Sequence, residues 1–308
     1  MRIYVSGSLA YDRIMSFPGK FADHILPDKI HILNVCFNVN GLSEKFGGTA
    51  GNISYNLSLL GEKPFILASA GKDFQGYESW LKENGLPTDG IRVIPDEFTA
   101  GAYITTDMAD NQITGFNPGA MKHPSCFRIN EGSKEAIGIL SPGNVDDMLT
   151  YSRDFRAREI AYIFDPGQTI PVMTGSQILE ILTGCNIFIS NDYELEMILR
   201  ITKTTKSDLS ERTQRGIITT MAENGSLVCA NGIEARVPAV PPKRVVDPTG
   251  AGDAYRAGLI KGLVMEKGIE ESARMGATCA SYAVEHNGTQ EHRFTQEEFW
   301  RRHHDCFG

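Results

Sequence analysis

The sequence lacks apolar runs long enough to cross a membrane, and it lacks an excess of basic residues. Runs such as residues 136–140 fall far short of the roughly 20 apolar residues that a bilayer span needs. The 308 residues include 30 lysines and arginines against 38 aspartates and glutamates, which gives a net charge of −8. An acidic chain offers no broad basic face to a nucleic acid or to an anionic membrane, so we expect neither as a partner.

Metal-binding and disulfide patterns are also missing. The 6 cysteines are scattered without a CxxC pair, and the 7 histidines show no HExxH spacing. Scattered cysteines in a chain of this size indicate free thiols in a reducing compartment. The N-terminal residues turn polar at Ser6 and Asp12, which argues against the apolar core of a signal peptide. We therefore expect a cytoplasmic protein.

Two common nucleotide-binding motifs are absent as well. No GxxxxGK[ST] motif occurs, which excludes a P-loop enzyme. No GxGxxG motif follows a predicted strand, which disfavours a Rossmann dinucleotide site.

What the chain does contain is an alternation of short apolar runs with segments of helical periodicity. The apolar runs, bounded by turn residues, predict buried strands at residues 2–7, 64–70, 136–140, 160–164, 186–190 and 216–220. The periodic segments predict helices at residues 49–60, 75–84, 145–158, 176–183, 192–200, 251–265, 270–285 and 295–304. This alternation predicts an α/β fold in which helices cover both faces of a parallel sheet.

Two regions depart from this alternation. Residues 31–39 and 91–115 contain strand-like patterns with no helix between the strands. We interpret them as a small accessory sheet that projects from the main domain and acts as a lid. The alternative is that they are edge hairpins of the main sheet, in which case nothing moves. On the first interpretation the chain is a single domain over residues 1–308, with the lid sheet inserted from about 13–45 and 91–115.

The strongest local signal is the segment Asp-Pro-Thr-Gly-Ala-Gly-Asp from Asp247 to Asp253, which leads into a predicted helix. Gly250 and Gly252 carry no side chain, so backbone N–H groups can approach a ligand closely. A helix N-terminus favours negative charge at that point. An anion site beside the Asp253 carboxylate suits phosphoryl transfer, because the carboxylate can accept the proton of an attacking hydroxyl. The alternative is an ordinary strand–helix turn capped by an aspartate.

Asn191 and Glu194 form a second candidate site directly after the predicted strand 186–190. They are three positions apart, so both can face one side of a first helical turn. Their oxygens could hold Mg²⁺ or its bound waters beside a phosphate. The alternative is an N-cap at Asn191, with Glu194 completing a capping box.

A third candidate site joins the start of the predicted helix 49–60 to the end of the first strand. Gly47 and Gly48 allow the backbone to lie close to a ligand, and Asn52 offers both a donor and an acceptor. The Asp12 carboxylate follows the first strand and could bind a vicinal diol such as that of a ribose. The alternative for this segment is an ordinary helix start.

These motifs and their order resemble the PfkB (ribokinase) family of small-molecule kinases over essentially the whole chain. The resemblance is carried by residues 6–12, 17–21, 48–52, 116–121, 191–194, 247–253 and 288–290. Within the family, the sequence is most similar to the bacterial adenosine kinases. The resemblance implies a ribokinase-like three-layer α/β/α sandwich with a small β-sheet lid. It also implies ATP-dependent phosphorylation of the 5′-hydroxyl of a nucleoside, most of all the conversion of adenosine to AMP. The implied cofactors are ATP and Mg²⁺, and K⁺ as in some members of the family.

Three other functions stay open at this point. A broad-specificity nucleoside kinase or a PfkB-type sugar kinase for ribose or fructose would carry the same catalytic motif. A non-catalytic nucleotide-binding module on this fold would have no need of Asp253 beside the anion site.

The resemblance also implies roles for individual residues. Asp253 is the expected general base, and the expected anion hole consists of Gly250, Ala251 and Gly252. Asp12, Gly48 and Asn52 are expected to hold the ribose hydroxyls of the nucleoside, and Ser8, Phe37 and Phe116 are expected to line its base pocket. Ala102 and Tyr103 are also counted among the nucleoside-binding residues. Those expected to bind ATP are Asn191, Thr219, Glu223, Gly225, Gly250 and Gly252. Asn191 and Glu194 would organise Mg²⁺, and Asp247 and Thr249 are candidates for a monovalent-cation site.

One position departs from the family pattern. Where the bacterial adenosine kinases carry a phenylalanine that stacks on adenine, this chain has Ala102, followed by Tyr103. If Tyr103 points away, one face of the base loses its stacking partner, which would weaken the preference for adenine. We also expect that a homodimer could form through the lid sheet, since an exposed edge near Cys36 and Phe37 invites strand pairing.

Overall fold

The computed structural model describes residues 1–130 and 135–308. The strands are β1 (Arg2–Ser6), β2 (Ala10–Ser16), β3 (Asn40–Gly47), β4 (Phe65–Gly71), β5 (Ile91–Ile94), β6 (Ala100–Thr106), β7 (Gln112–Asn117), β8 (Ala136–Leu140), β9 (Ala161–Phe164), β10 (Ile187–Asn191), β11 (Gly216–Thr220), β12 (Ser226–Ala230) and β13 (Ile233–Val237). The helices are α1 (Thr49–Leu59), α2 (Gln75–Glu83), α3 (Val145–Ala157), α4 (Gly175–Leu182), α5 (Asp192–Thr202), α6 (Lys206–Glu211), α7 (Ala251–Val264), α8 (Ile269–Ala283) and α9 (Gln296–Phe307).

The main sheet has the order β13-β12-β11-β10-β9-β8-β1-β4-β5. It is parallel from β11 to β5, and β12 and β13 extend it as antiparallel strands. All six predicted strands lie in it, and all eight predicted helices are present. The hairpin β12–β13 and the short helix α6 were not predicted. The central strands of the main sheet are apolar on both sides because helices cover both of its faces.

Two separate apolar cores explain the three layers. Ile163, Ile189 and Ile218 project from one face of the sheet into a core shared with α1, α2, α7 and α8. Phe164, Phe188 and Ile217 project from the other face into a core shared with α3 to α6. The predicted α/β/α sandwich is therefore confirmed. Within the described residues, none of the helices has the length and apolar character needed to cross a bilayer.

A second, small sheet has the order β3-β2-β6-β7. Its register sets which side chains share a face, because residues directly opposite one another in neighbouring strands point to the same side. One such row consists of Lys45, Asp12, Ala102 and Phe116. The next row consists of Glu44, Arg13, Tyr103 and Gly115, and it points to the opposite side.

The predicted boundaries of this sheet need two corrections. Residues 31–39 form no strand: a short 3-10 helix ends at Ile32 and residues 33–39 are irregular. The apolar alternation there does not mark a buried face, since Ile32 and Leu33 are exposed. Residues 91–94 pair in parallel with β4 at the edge of the main sheet, so they belong neither to the small sheet nor to an edge hairpin. The strands of the small sheet lie within residues 10–47 and 100–117, against the predicted 13–45 and 91–115. The role of this sheet as a lid and its closing motion stay predictions.

Candidate active site

The predicted anion-binding loop lies at the N-terminus of α7, at the carboxyl edge of the main sheet. Gly250 is its N-cap, with a φ of 80°, and a Cβ atom there would lie 3.0 Å from the Cβ of Thr289. A side chain at this position would be both strained and crowded. In the described part of the chain the amides of Gly250 and Gly252 have no acceptor, whereas the amide of Ala251 donates to the Pro248 carbonyl at 3.2 Å. Two of the three predicted anion-hole amides are thus free for a ligand.

Asp253 lies in the first turn of α7, next to these amides. The Nδ2 atom of Asn52 donates to its Oδ2 atom at 2.8 Å. Burial raises the pKa of the Asp253 carboxyl to about 7, against the opposing effects of the Asn52 hydrogen bond and the Arg256 charge. A carboxyl with a pKa near neutrality is suited to act as a general base.

Asn52 is held in place by residues near the C-terminus. Its Oδ1 atom accepts hydrogen bonds from the Thr289 hydroxyl at 2.8 Å and from Gln290 Nε2 at 3.0 Å. With Asp253 as a further partner, one N–H of the amide remains for a substrate. The sequence predicted Asn52 as a ribose ligand but not its contact with Asp253. The stretch 288–290 carried the signal for its supporting residues, because it is part of the family resemblance.

The start of α1 is fixed by Gly48 and Ser8. Gly48 has a φ of 88°, and a Cβ atom there would lie 2.6 Å from the Ser8 carbonyl oxygen. The Ser8 Oγ atom accepts the Thr49 N–H at 3.0 Å, so this predicted base-pocket residue also holds the helix start. The geometry explains why glycine is needed at position 48.

Asp12 reaches the same region from the small sheet. Burial and the nearby Asp247 carboxylate raise the pKa of its carboxyl, and Lys45 opposes them. A Cβ atom at Gly47 would lie 2.6 Å from Asp12 Oδ2, so the missing side chain there leaves room for the carboxylate. Asp253 is hydrogen-bonded to Asn52 and lies within electrostatic range of Asp12, so α7, α1 and β2 bring residues of the first and third candidate sites together.

The small sheet places the residues predicted to lie near the base on two opposite faces. Ala102 and Phe116 share the face of Asp12, and the Phe116 side chain is 53% exposed. Tyr103 lies on the other face, where its hydroxyl accepts a hydrogen bond from Arg13 at 3.0 Å. Because strand neighbours alternate in direction, Tyr103 does not share the face of Asp12 and Ala102, and its role in nucleoside binding stays a prediction.

Phe37 lies in an aromatic cluster of the segment that joins β2 and β3. Its ring centroid is 4.8 Å from that of Phe17 and 5.0 Å from that of Phe21. These contacts account for the ring by packing alone. A role of Phe37 in a base pocket stays a prediction.

The sequence and the fold of this chain place it in the same family. The model of the family described as pfkB family carbohydrate kinase matches residues 13–295. The chain belongs to the pfkB family. The predicted family and ribokinase-like fold are confirmed, and so is the prediction that the chain is a kinase.

The relatives of this pfkB kinase include nucleoside kinases. It is 30% identical over 259 residues to the nucleoside kinase of Methanocaldococcus jannaschii, a match that covers 83% of this chain and 85% of the relative. The Burkholderia thailandensis nucleoside kinase in complex with inosine superposes with a TM-score of 0.87 at 33% identity, over 99% of this chain and 98% of that chain. The same kinase in complex with ADP-inosine superposes with a TM-score of 0.83 at 34% identity, over 99% of this chain and 96% of that chain.

Asn191 and Glu194 of this kinase form the reciprocal capping box that was the alternative for this segment. Asn191 Oδ1 accepts the Glu194 N–H at 2.7 Å, and Glu194 Oε2 accepts the Asn191 N–H at 2.9 Å. Burial raises the pKa of the Glu194 carboxyl. No group of three His, Cys, Asp or Glu side chains among the described residues is arranged to hold a metal. One carboxylate fits Mg²⁺ that is bound chiefly by phosphate and water, and this role stays a prediction.

The predicted ATP segment lies at the end of β11 and in the turn that follows. The hydroxyls of Thr219 and, on neighbouring β10, Ser190 are buried, and neither has a hydrogen-bond partner within residues 1–130 and 135–308. Glu223 is exposed in the turn, and Gly225 ends it with a φ of 82°. Unpaired hydroxyls at the carboxyl edge of a sheet are compatible with a nearby ligand.

The candidate monovalent-cation residues organise the loop before α7. Asp247 Oδ1 accepts the Thr249 N–H at 2.9 Å, and Oδ2 accepts the Gly288 N–H at 3.2 Å. The Lys45 ammonium donates to the Asn287 carbonyl oxygen at 2.8 Å, which joins the small sheet to this loop. The sequence did not predict the contact of Lys45 with this loop, because a lone lysine in a mostly exposed strand has no pattern that indicates its partner. Cation binding at Asp247 and Thr249 stays a prediction.

Proposed function

We propose that this chain transfers the γ-phosphoryl group of ATP to the 5′-hydroxyl of a nucleoside, and that it accepts several nucleosides. The observation that carries the proposal is the Asp253 carboxylate, held by Asn52 beside the unpaired amides of Gly250 and Gly252. The named relatives support it, because they are nucleoside kinases and one binds inosine. Adenosine as the main substrate stays a prediction within this proposal.

In the proposed reaction the free oxygen of the Asp253 carboxylate accepts the proton of the 5′-hydroxyl. The hydroxyl oxygen forms a bond to the γ-phosphorus as the bond to the bridging oxygen breaks, and ADP leaves with those electrons. The amides of Gly250 and Gly252 stabilise the charge on the transferred group. Mg²⁺, if held near Glu194, neutralises phosphate charge.

Nucleoside binding is assigned to the face of the small sheet that carries Asp12. The Asp12 carboxylate can accept hydrogen bonds from both ribose hydroxyls, and the remaining N–H of Asn52 can donate to one of them. This face covers the substrate and excludes water, which limits hydrolysis of ATP. The base then lies towards Ala102 and Phe116, which share that face.

The acid limb of the pH–rate profile should report the protonation of the Asp253 carboxylate. Since only the deprotonated carboxylate accepts the hydroxyl proton, kcat/KM for the nucleoside should fall about tenfold per pH unit below a pH of about 7, and it should level off above it. Initial rates of ADP formation across the pH range measure this. A profile that stays flat down to a pH of about 5 would contradict Asp253 as the titrating base.

Substrate breadth should follow from Ala102. We expect wild-type rates within about one order of magnitude for adenosine, inosine, guanosine and cytidine, because Ala102 offers no ring that would favour one base by stacking. Ala102→Phe should raise the preference for adenosine over cytidine by about tenfold, because the new ring can stack on a purine. Kinetics of ATP consumption against this panel, with ribose and fructose added, measure both effects.

The matched control is Tyr103→Phe, since that ring points to the other face of the same strand. It should leave the ranking of nucleosides unchanged. Turnover of ribose or fructose alone would overturn nucleoside specificity while sparing the phosphoryl-transfer chemistry. A shift in ranking with Tyr103→Phe but not with Ala102→Phe would contradict the assigned base-binding face.

A further inference from the structure

A buried ion pair lies directly behind the anion-binding loop, and the proposed function assigns it no role. Asp165 follows β9 at the carboxyl edge of the main sheet, and Arg256 lies in α7, four residues after Gly252. The Nε atom of Arg256 is 2.7 Å from Asp165 Oδ2, and its Nη2 atom is 3.0 Å from Oδ1. The Arg256 side chain is 7% exposed and the Asp165 side chain is 4% exposed. This is the bidentate geometry in which an arginine–carboxylate pair is strong and directional.

The third nitrogen of the guanidinium is bound to the loop itself. Arg256 Nη1 donates to the Gly252 carbonyl oxygen at 3.1 Å. That carbonyl belongs to the peptide unit that joins Gly252 to Asp253. A Cβ atom at Gly252 would lie 3.0 Å from Nη1, so the missing side chain admits the guanidinium. Arg256 therefore connects the end of β9 to the backbone that carries a free amide and the catalytic carboxylate.

The guanidinium also supplies positive charge in a region of carboxylates. Its charge favours the ionised form of Asp253, whereas the carboxylates of Asp165 and Asp12 disfavour it. Glu194 faces the same guanidinium from α5. The titratable and charged groups that act on Asp253 and on this pair are Asp12 from β2, Tyr77 from α2, Asp165 after β9, Glu194 from α5 and Arg256 from α7.

We propose that Arg256, held by Asp165, is a positioning residue for phosphoryl transfer, which fixes the Gly252–Asp253 backbone and sets its positive charge beside the reacting carboxylate. This inference rests on the proposed role of Asp253 as the base. Asp165 acts through Arg256: it orients the guanidinium and offsets part of its charge. The opposite charges of the two partners make the electrostatic part of the proposal testable, because their removal should shift the titration of Asp253 in opposite directions. The positioning part is tested by kcat in a variant that keeps the charge and loses the geometry.

The test compares the pH dependence of kcat/KM for Arg256→Met and Asp165→Asn. Loss of the cation should move the acid limb to higher pH by about one unit, and loss of the neighbouring anion should move it to lower pH by a smaller amount. Arg256→Lys keeps the charge but loses the bidentate geometry. It should lower kcat by about tenfold or more while the limb stays near its wild-type position.

Two further variants keep the test decisive. Removing one member of a buried pair can unfold a protein, so Asp165→Leu with Arg256→Met removes both charges together. This double variant should fold, retain a limb between those of the single variants, and still lose kcat. The matched control is Lys261→Met, at a lysine of the same helix α7 whose ammonium lies 2.6 Å from the carboxylate of Glu62. It breaks this salt bridge and should leave both kcat and the position of the acid limb unchanged.

The outcomes separate this inference from the function on which it rests. Loss of thermal stability in all pair variants with an unmoved acid limb and an unchanged kcat would overturn the positioning role alone. Absence of nucleoside phosphorylation in the wild type, or full turnover by Asp253→Asn, would overturn the proposed function instead. Opposite shifts of the limb, together with a fall of kcat in Arg256→Lys and no change in Lys261→Met, would support the inference. An unchanged kcat in Arg256→Lys would overturn the positioning role even if the limb shifts in the other variants.

Discussion

Asp253→Asn is expected to lower kcat by about 10²–10⁴-fold. The amide has nearly the shape of the carboxylate and can keep a contact with Asn52, but it cannot accept the proton of the attacking hydroxyl. The nucleoside Kd should therefore change little, since the lost interaction belongs to the transition state. Single-turnover kinetics give the chemical step, and isothermal titration calorimetry gives the Kd.

Asp305→Asn is the matched control for this experiment, because it makes the same chemical change at an exposed position of α9. It should leave kcat and Kd at their wild-type values. Retention of more than about a tenth of wild-type turnover by Asp253→Asn would show that another group accepts the proton.

Asp12→Ala is expected to raise the KM for the nucleoside by about 10²-fold or more, with little change in the KM for ATP. Hydrogen bonds to a charged group contribute about 1.5–3 kcal/mol each, and the carboxylate is assigned two of them. The carboxylate lies on the small sheet, whereas the assigned phosphate-binding groups lie on the main domain. Initial rates with each substrate varied at saturation of the other separate the two constants.

Asp23→Ala serves as the control, since this exposed aspartate lies in the segment between β2 and β3. It should alter neither KM. Equal losses of nucleoside and ATP affinity in Asp12→Ala would refute the assignment of Asp12 to the ribose and would indicate a wider disturbance of the site.

The main sheet could be predicted because its strands and helices have local signatures. A strand with helices on both faces is apolar throughout, and a helix against the sheet is apolar with a period of 3.6 residues. The small sheet has no such signature. β7 is exposed along its whole length, and β3 is exposed over most of it, so their sequences do not record the pairing. The apolar run at 31–39 mimicked a strand because periodicity says nothing about which face finds a partner.

The candidate site divides in the same way. The sequence by itself determined the anion-binding loop with Asp253 and the glycine-rich start of α1, because each is a short contiguous motif whose backbone freedom depends on its own glycines. The tertiary structure alone decided that Tyr103 turns away from Ala102, through the register of β2, β6 and β7. It also decided that Asn52 meets Asp253 and that Asp165 meets Arg256, pairs 201 and 91 positions apart along the chain. Such pairs depend on which strand ends lie side by side at the sheet edge, and local periodicity and propensity carry no information about that order.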